Sequence, residues 1–398
     1  MTIVFCALAL LLAFFSWRSF RGGLDYLNFV RNEVARPRPD FAPFTTVIVP
    51  CKGIDDGLEA NLEALIVQDR PAYEVIFVVD DENDPAAGVI KKVIGKSSVP
   101  VRMIVAEKAI VSSQKIENLR TAVTLVNDAS AVFAFVDSDA RPSKNWLRDL
   151  VAPLQDPDVG ASTAYRWFLS PTDSFAGEMR SVWNASIASA LGPNTATNFC
   201  WGGSMAIRRD VFERLGISEK WVGALSDDFT VTRCIRAAGM PIHFVPTAMT
   251  PSMDDCDFSQ LIEFTTRQMK ITRVYAPHLW KLSFFGSGLF TVVMVWSFAV
   301  VIFSGTNSWV VLSAISAIFL VTAFSIGKAL VRLRAVTLAM PEHSRLLRRQ
   351  MFTQCTLWLL APPLFLLNSV TALLSRKMIW RGIEYEMVSP TETLIRRQ

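Results

Sequence analysis

Aspartate recurs behind apolar, strand-like runs at three places along the chain: Asp81, the Asp137-Ser138-Asp139 triplet, and the adjacent pair Asp227-Asp228. Two carboxylates two positions apart at a strand end can converge on one divalent cation and its coordinated water. A cation held in that way offsets the negative charge that grows on a diphosphate as it leaves. By itself an Asp-x-Asp is also a common solvated turn, here running into Arg141-Pro142, so it needs context.

The stretch Val78-Val79-Asp80-Asp81-Glu82-Asn83-Asp84-Pro85-Ala86 supplies some of that context, because carboxylates again follow an apolar run where a base and ribose could be hydrogen-bonded. Asp84 before Pro85 is equally a helix cap with proline in the first position, and both readings can hold together. Farther on, Ala224-Leu225-Ser226-Asp227-Asp228-Phe229 opens a helix-like stretch that runs to Ala238 and stops at Gly239. Ser226 or Asp227 can cap that helix, but capping alone does not require two adjacent acids. One of the pair is suited to take a proton from a hydroxyl within hydrogen-bond reach.

These residues have to be positioned by the elements around them. Thr45 to Pro50 and Glu74 to Val79 are short β-branched runs with a helix-like stretch, Gly57 to Gln68, between them. Pro100 to Val105 and Ala131 to Val136 repeat the pattern around a helical Ile116 to Asn127. Such alternation predicts an α/β domain built on a mostly parallel sheet with right-handed crossovers. Ligands bind beyond the carboxyl ends of its strands, where Asp80, Asp81, Asp137 and Asp139 all fall.

The remaining sequence reads as membrane. Hydrophobic residues make up 51% of the 398, above a soluble mix. Ile3 to Trp17 is an unbroken apolar run with Arg18, Arg21 and Arg31 after it and no small-residue cleavage site, which predicts an anchor over residues 1–20 rather than a leader. The basic flank puts the following domain, residues 40–280, on the cytoplasmic side. Phe284 to Val331 is long enough for two crossings, with Ser304-Gly305-Thr306-Asn307-Ser308 as a tight external turn. Met351 to Leu374 is a last apolar stretch with Pro362-Pro363 near its middle, closing a membrane region at 284–374 before a basic tail at 375–398. Three crossings after the domain would export a tail that holds Arg376, Lys377, Arg381, Arg396 and Arg397. Positive-inside reasoning keeps it in, and the proline pair offers a bend by which the last segment could return.

Several function classes fall away. Forty basic against 36 acidic residues is a surplus of only +4, and with no basic-aromatic stripe nucleic acid is not expected as a partner. Cys6, Cys51, Cys200, Cys234, Cys256 and Cys355 contain no Cys-x-x-Cys pair, and His243, His278 and His343 are scattered, so neither a disulfide framework nor a zinc site is expected.

In these stretches the chain resembles inverting, nucleotide-sugar-dependent glycosyltransferases of the large family 2 type, and within them the ceramide glucosyltransferase group. The resemblance rests on Val49-Pro50-Cys51-Lys52-Gly53, Val79 to Ala86, Gln114 to Leu119, Phe135 to Pro142, Trp201 to Met205, Leu225 to Phe229 and Arg267 to Pro277, in the family's order. It implies a glycosyltransferase type A fold with transmembrane helices. It also implies that Asp80, Asp81, Lys115 and Asp137 bind the donor, with Asn118 beside Lys115, and that Asp139 with Asp137 binds a divalent cation, Mg or Mn. Asp228 becomes the general base, and Gly202, Gly203 and Ser204 with Trp201 line the acceptor side. Arg267 keeps the cation of the last motif for the diphosphate, while Gln268 stands where the family has an aromatic. Lys270 and Arg273 extend the basic face and suit phosphate or anionic lipid alike.

The resulting expectation is a membrane-bound hexosyltransferase moving a sugar from a UDP-sugar to a lipid hydroxyl, ceramide or similar, with inversion. A processive polysaccharide synthase is the rival among enzymes, and few crossings together with Gln268 argue against it. A non-catalytic nucleotide-sugar sensor is the rival among binding proteins, and it leaves the set Asp137, Asp139 and Asp228 without a purpose.

Overall fold

The computed structural model describes residues 2–70, 72–303 and 309–396, which form two compact units. One comprises Met1–Arg31, Asp173–Ser189 and Cys256–Ser375; the other comprises Asn32–Thr172, Ala190–Asp255 and Arg376–Gln398.

The first unit is helical. Thr2–Ala35, Pro277–Phe303 and Trp309–Ala339 are long and apolar enough to cross a membrane, with mean hydropathy of 2.0, 2.1 and 2.3. Phe5, Leu12, Phe290, Val293, Ala314, Ala317 and Val321 pack into their common core, while Leu10, Phe285, Ile302 and Phe319 stay exposed, as a surface solvated by lipid tails requires. The first helix outruns the expected 1–20 anchor because nothing breaks it before Pro37. The predicted turn Ser304 to Ser308 lies outside the described residues. Met351–Leu359 and Ala361–Leu374 meet at a bend of 57°, where Pro362 and Pro363 open the second helix and cannot donate backward.

The second unit is an α/β domain. Its strands are β1 (Thr45–Pro50), β2 (Tyr73–Val79), β3 (Val101–Val105), β4 (Val132–Phe135), β5 (Ala161–Thr163), β6 (Arg166–Phe168), β7 (Met205–Arg208), β8 (Ile242–Phe244) and β9 (Thr250–Ser252). Seven form one sheet in the order β3-β2-β1-β4-β7-β5-β8, and β6 pairs with β9 apart from it. β1 runs parallel to β2 and β4, β2 to β3, and β5 to β8; β7 is antiparallel to its neighbours β4 and β5. The mostly parallel sheet of the sequence reading is therefore present. Its central strands β1, β2 and β4 are mostly apolar because both faces are covered. Val47, Val49, Phe77 and Val79 pack on one face with Trp146 and Leu150, and Ile48, Ile76, Phe133 and Phe135 on the other with Trp221 and Ile235. Each such side chain contributes about 1.5–3 kcal/mol by leaving water.

Two boundaries differ from the expected 40–280 domain and 375–398 tail. The helix Phe175–Ala188 and everything from Cys256 to Ser375 cluster with the membrane helices, because Met179, Val182 and Trp183 bury against Leu261, Ala361 and Phe365. Residues beyond 375 are no tail in the structure: β10 (Lys377–Trp380), β11 (Ile383–Ser389) and β12 (Glu392–Arg396) form an antiparallel sheet within the α/β unit. Basic residues sit on its exposed positions while Met378, Tyr385 and Met387 are buried, an alternation of period two that the charge count had obscured.

Candidate functional site

The carboxyl ends of β2, β1 and β4 carry the site. The chain leaves β1 toward β2 on one side while β4 lies on the other, so the loops after β1 and β4 flank the crevice where strand order reverses. Asp137 is the second residue past the end of β4, and a hydrogen bond from Ala140 N to Asp137 O at 3.1 Å turns the chain so that Asp139 returns beside it. Lys115 stands in the first turn of the helix Gln114–Val123, capped by Ser113. Asp227 and Asp228 open the helix Asp227–Ala237, capped by Ser226. Carboxylates suit that end of a helix because its free N–H groups and dipole are positive there.

The triplet and the Asp227-Asp228 pair meet through Lys115, and Arg166 ties the triplet together. Lys115 Nζ lies 2.8 Å from Asp137 Oδ1 and 3.2 Å from Asp227 Oδ1. Arg166, from β6, spans the triplet, with Nη2 at 3.1 Å from Asp137 Oδ2 and Nη1 at 2.9 Å from Asp139 Oδ2. Burial alone would raise the Asp137 carboxyl, but Lys115 and Arg166 hold it below its ordinary value. Lys115 in turn is held above its ordinary value, against burial, by Asp137, Asp227 and Asp228. Asp227 behaves differently: burial, aided by the charges of Asp228 and Asp137 and only partly offset by Lys115, pushes it up to about 6. Asp228 is less buried than its neighbour. Its Oδ1 accepts from Ser226 Oγ and from Phe229 N at 2.7 Å, and its Oδ2 accepts from Gly202 N at 3.3 Å.

A second acidic group lies at the end of β2. Asp80 is buried and takes Lys52 Nζ on both oxygens at 2.9 and 2.7 Å, and Lys108 approaches Asp80 and Asp81 at 3.3 and 3.4 Å. Burial would raise Asp80, yet Lys52 and Lys108 leave it lowered; Asp81 is lowered by the N–H of Asn83 and by Lys108. Asp84 caps the helix Pro85–Lys96 through Ala86 N and also accepts from Gly53 N at 2.8 Å. The capping reading of this stretch is thus present, and Asp80 and Asp81 stand outside the cap.

Trp201 to Ser204 form the turn before β7. The indole of Trp201 lies 4.6 Å from the Arg166 guanidinium and packs on Tyr165 with ring centroids 5.2 Å apart. A Cβ at Gly203 would overlap that indole, and one at Gly202 would overlap Asp227 Oδ2 and stand 2.8 Å from Lys115 Nζ. Both glycines are there for close approach. Ser204 is fully buried. Its hydroxyl accepts from Trp146 Nε1 at 2.8 Å and donates to Ala248 O at 3.2 Å, so it holds the turn in place. Asn118 is likewise buried, accepting from Gln114 Nε2 at 3.0 Å.

Arg267 belongs to the first unit, on the helix Phe258–Tyr275, where it pairs with Glu263 at 3.5 Å and lies over the Phe264 ring at 5.6 Å. On the same helix Arg273 donates to Ala372 O and lies over Trp280.

The triplet fits a divalent cation in part. Asp139 Oδ1 is buried with no hydrogen-bond partner among the described residues, and Asp137 and Asp139 offer hard oxygen donors of the kind Mg and Mn take. Among the described residues no three His, Cys, Asp or Glu side chains gather as a full cage. Two carboxylates plus oxygens from a bound diphosphate and water would complete the shell of such an ion.

Arg166 and Lys52 were not singled out from the sequence. Lys52 lies inside a family-like stretch without a distinctive spacing. Arg166 sits in Tyr165-Arg166-Trp167-Phe168-Leu169, and that setting was itself a signal: an arginine among large apolar residues buries only with a partner.

The sequence matches the description Glycosyl transferase family 21 over residues 1–392. Ceramide glucosyltransferases of Komagataella phaffii and Candida albicans are 31% identical over 94 residues and 30% identical over 122. Those stretches are 24% and 27% of this chain but span only 17% and 22% of those relatives. A mannosyltransferase from Pyrobaculum calidifontis, solved in complex with GDP-Man and Mn2+, aligns over 93% of this chain and 99% of its own with 18% identity and a TM-score of 0.50. That likeness bears out the glycosyltransferase type A fold. With the strand-end acids, the glycine turn and the paired aspartates in place, and with the match running almost end to end, the chain belongs to glycosyl transferase family 21.

Proposed function

We propose that the protein transfers a hexose or N-acetylhexosamine from a UDP-sugar to the hydroxyl of a membrane lipid, ceramide or similar, with inversion at the anomeric carbon, its α/β unit facing the cytoplasm. The observation that carries the reading is a single chain of contacts, Asp139–Arg166–Asp137–Lys115–Asp227, which draws the strand-end acids and the helix-opening acids around one place with Asp228 alongside.

The reaction is a single displacement. The acceptor oxygen bonds to the anomeric carbon as the bond from that carbon to the diphosphate oxygen breaks, and the hydroxyl proton passes to Asp228. Asp228 suits this part because Ser226 and Phe229 N fix its Oδ1 while Oδ2 has one long contact to Gly202 N. The role fits a positioned carboxylate. Asp80 and Asp81 serve the nucleoside, Lys115 on the donor side offsets the charges of the acids it bridges, and Trp201 with Gly202 and Gly203 shapes the acceptor side. By family resemblance Arg267 offers a cation to the departing diphosphate. When bound, a divalent cation on Asp137 and Asp139 would supply charge neutralisation for that leaving group.

The test is to incubate the purified protein in lipid bilayers with ceramide and labelled UDP-glucose, UDP-galactose or UDP-N-acetylglucosamine, and to weigh the lipid products. One lipid heavier by a single hexose or N-acetylhexosamine supports the reading. A polymer would establish the synthase instead, and binding without transfer or hydrolysis would establish the sensor.

A further inference from the structure

The sheet β10–β12 plays no part in the reaction just described, yet it is built into the loops that carry the site. The phenol of Tyr385, on β11, is buried and accepts from the backbone N–H of Gln114 at 3.1 Å, one residue before Lys115. The turn between β11 and β12 presses on Gly223, three residues before Ser226: with φ at +80°, a Cβ there would overlap the carbonyl of Thr391. The sheet is thereby fixed against both loops that deliver Lys115 and the Asp227-Asp228 pair.

Its tip is the turn Arg381-Gly382, which joins the paired residues Trp380 and Ile383. Arg381 has φ of +51° and Gly382 of +76°, the two left-handed residues that a two-residue hairpin turn of this kind requires. Arg381 grips Asp55 by both guanidinium nitrogens at 2.6 and 2.7 Å. Asp55 lies in the loop that leaves β1, the strand between those ending in Asp80 and Asp137, so Arg381 reaches the crevice where strand order reverses. Burial works against the charge on Arg381, and Asp55 first, then Asp139 and Asp137, hold it above its ordinary value, which places its charge in reach of the triplet.

The cations whose charges act on the triplet differ in freedom. The side chains of Lys115 and Arg166 are 14% and 12% exposed and locked between carboxylates, whereas that of Arg381 is 39% exposed and holds one. A guanidinium fork on a carboxylate has the geometry it would present to a phosphate.

We propose that β10–β12 completes the donor site: Arg381 binds the nucleotide's diphosphate, and Asp55 holds that fork in place when no nucleotide is present. This rests on the nucleotide-sugar reading of the site.

The experiment compares binding of UDP and of uridine, with MgCl2 present, to the full chain and to Arg381→Ala, Arg381→Lys and Asp55→Ala. Expected is a loss of about tenfold or more in UDP affinity for Arg381→Ala, with uridine binding unchanged as the control for folding. Arg381→Lys recovers part of the loss, as a point charge without the fork, and Asp55→Ala keeps UDP affinity within about threefold of wild type. The proposal is overturned if Arg381→Ala binds UDP like wild type, or if Asp55→Ala loses as much as Arg381→Ala, which would make the pair a structural staple. A wild type that binds no nucleoside diphosphate overturns the parent reading together with this one, whereas a binding wild type with an indifferent Arg381→Ala overturns this one alone.

Discussion

Lys115 Nζ lies 3.2 Å from Asp227 Oδ1, so the first turn of one helix supplies the countercharge for the first turn of another. The same ammonium holds Asp137 at 2.8 Å, and all three groups are largely removed from water. Taking away one member of a buried ion pair typically costs about 3–5 kcal/mol, because the partner's charge is left uncompensated. Lys115→Met should therefore lower the melting temperature of the purified protein markedly. Adding Asp227→Asn should restore part of the loss. If Lys115→Met melts with the wild type, this contact is not made in solution.

Asp227 gives a stability signature with a definite sign. Its carboxyl is raised from an ordinary 3.8 to about 6, so the folded protein binds that proton more tightly than the unfolded chain does. The stability it contributes is complete below about pH 4 and is lost as pH rises through about 6. Asp80, Asp81 and Asp137 are lowered and act in the opposite sense, so the difference between two proteins is the informative quantity. Melting temperature measured against pH should fall less between pH 4 and 7 for Asp227→Asn than for wild type. Parallel curves would show that Asp227 is not the proton-binding group.

The assignment of the base separates the adjacent acids. Asp228→Asn should lower kcat by about 10²–10⁴-fold, the usual contribution of a positioned acid or base, while UDP affinity stays as in wild type. Single-turnover transfer with labelled donor and a parallel binding measurement decide it. Turnover within a few-fold of wild type would remove Asp228 from the chemistry and turn attention to Asp227.

Much of this arrangement was legible in the residues. The strands ending at Val79 and Phe135 could be read because both faces of the sheet are covered, which leaves uninterrupted β-branched and aromatic runs that stop at acids. Asp84 and Ser226 could be read as caps because the side-chain oxygen has to meet a free N–H of the next turn. Arg166 had its apolar setting as a signal but not its place in the fold, since β6 is three residues long and among the described residues pairs with β9, a partner 84 positions away at Arg166↔Thr250. The sheet containing Arg381 was hidden for another reason: its basic residues were weighed for the side of the membrane, which passed over the Arg381-Gly382 turn and the buried alternation Met378, Tyr385, Met387. Helix Phe175–Ala188 looked like part of the α/β domain because sequence neighbourhood says nothing of which core an amphipathic face will join.

Arg166 links the triplet to the aromatic turn, and its shape matters as much as its charge. One guanidinium reaches Asp137 and Asp139 together and lies over Trp201, which an ammonium cannot do at once. Arg166→Lys should keep the net charge but lose the fixed spacing of the carboxylates. Transfer should fall at least about tenfold, with a larger effect on donor KM than a surface Arg→Lys change produces. Wild-type kinetics in Arg166→Lys would mean that charge alone is needed there.

The turn before β7 offers a steric test of the same link. A methyl at Gly203 would overlap the Trp201 indole, and the indole is wedged between Tyr165 and the Arg166 guanidinium, so the ring has to move. Overpacking of that kind costs about 1–3 kcal/mol, and here its displacement is transmitted to the cation that sets the Asp137–Asp139 spacing. Gly203→Ala should therefore reduce transfer more than its change in melting temperature explains. The double variant Gly203→Ala with Trp201→Ala should recover stability, because the clash is gone, without recovering transfer, because the cation has lost the ring beneath it. If removing the ring restores full activity, Trp201 serves only to fill space and the acceptor side must be sought elsewhere on the turn.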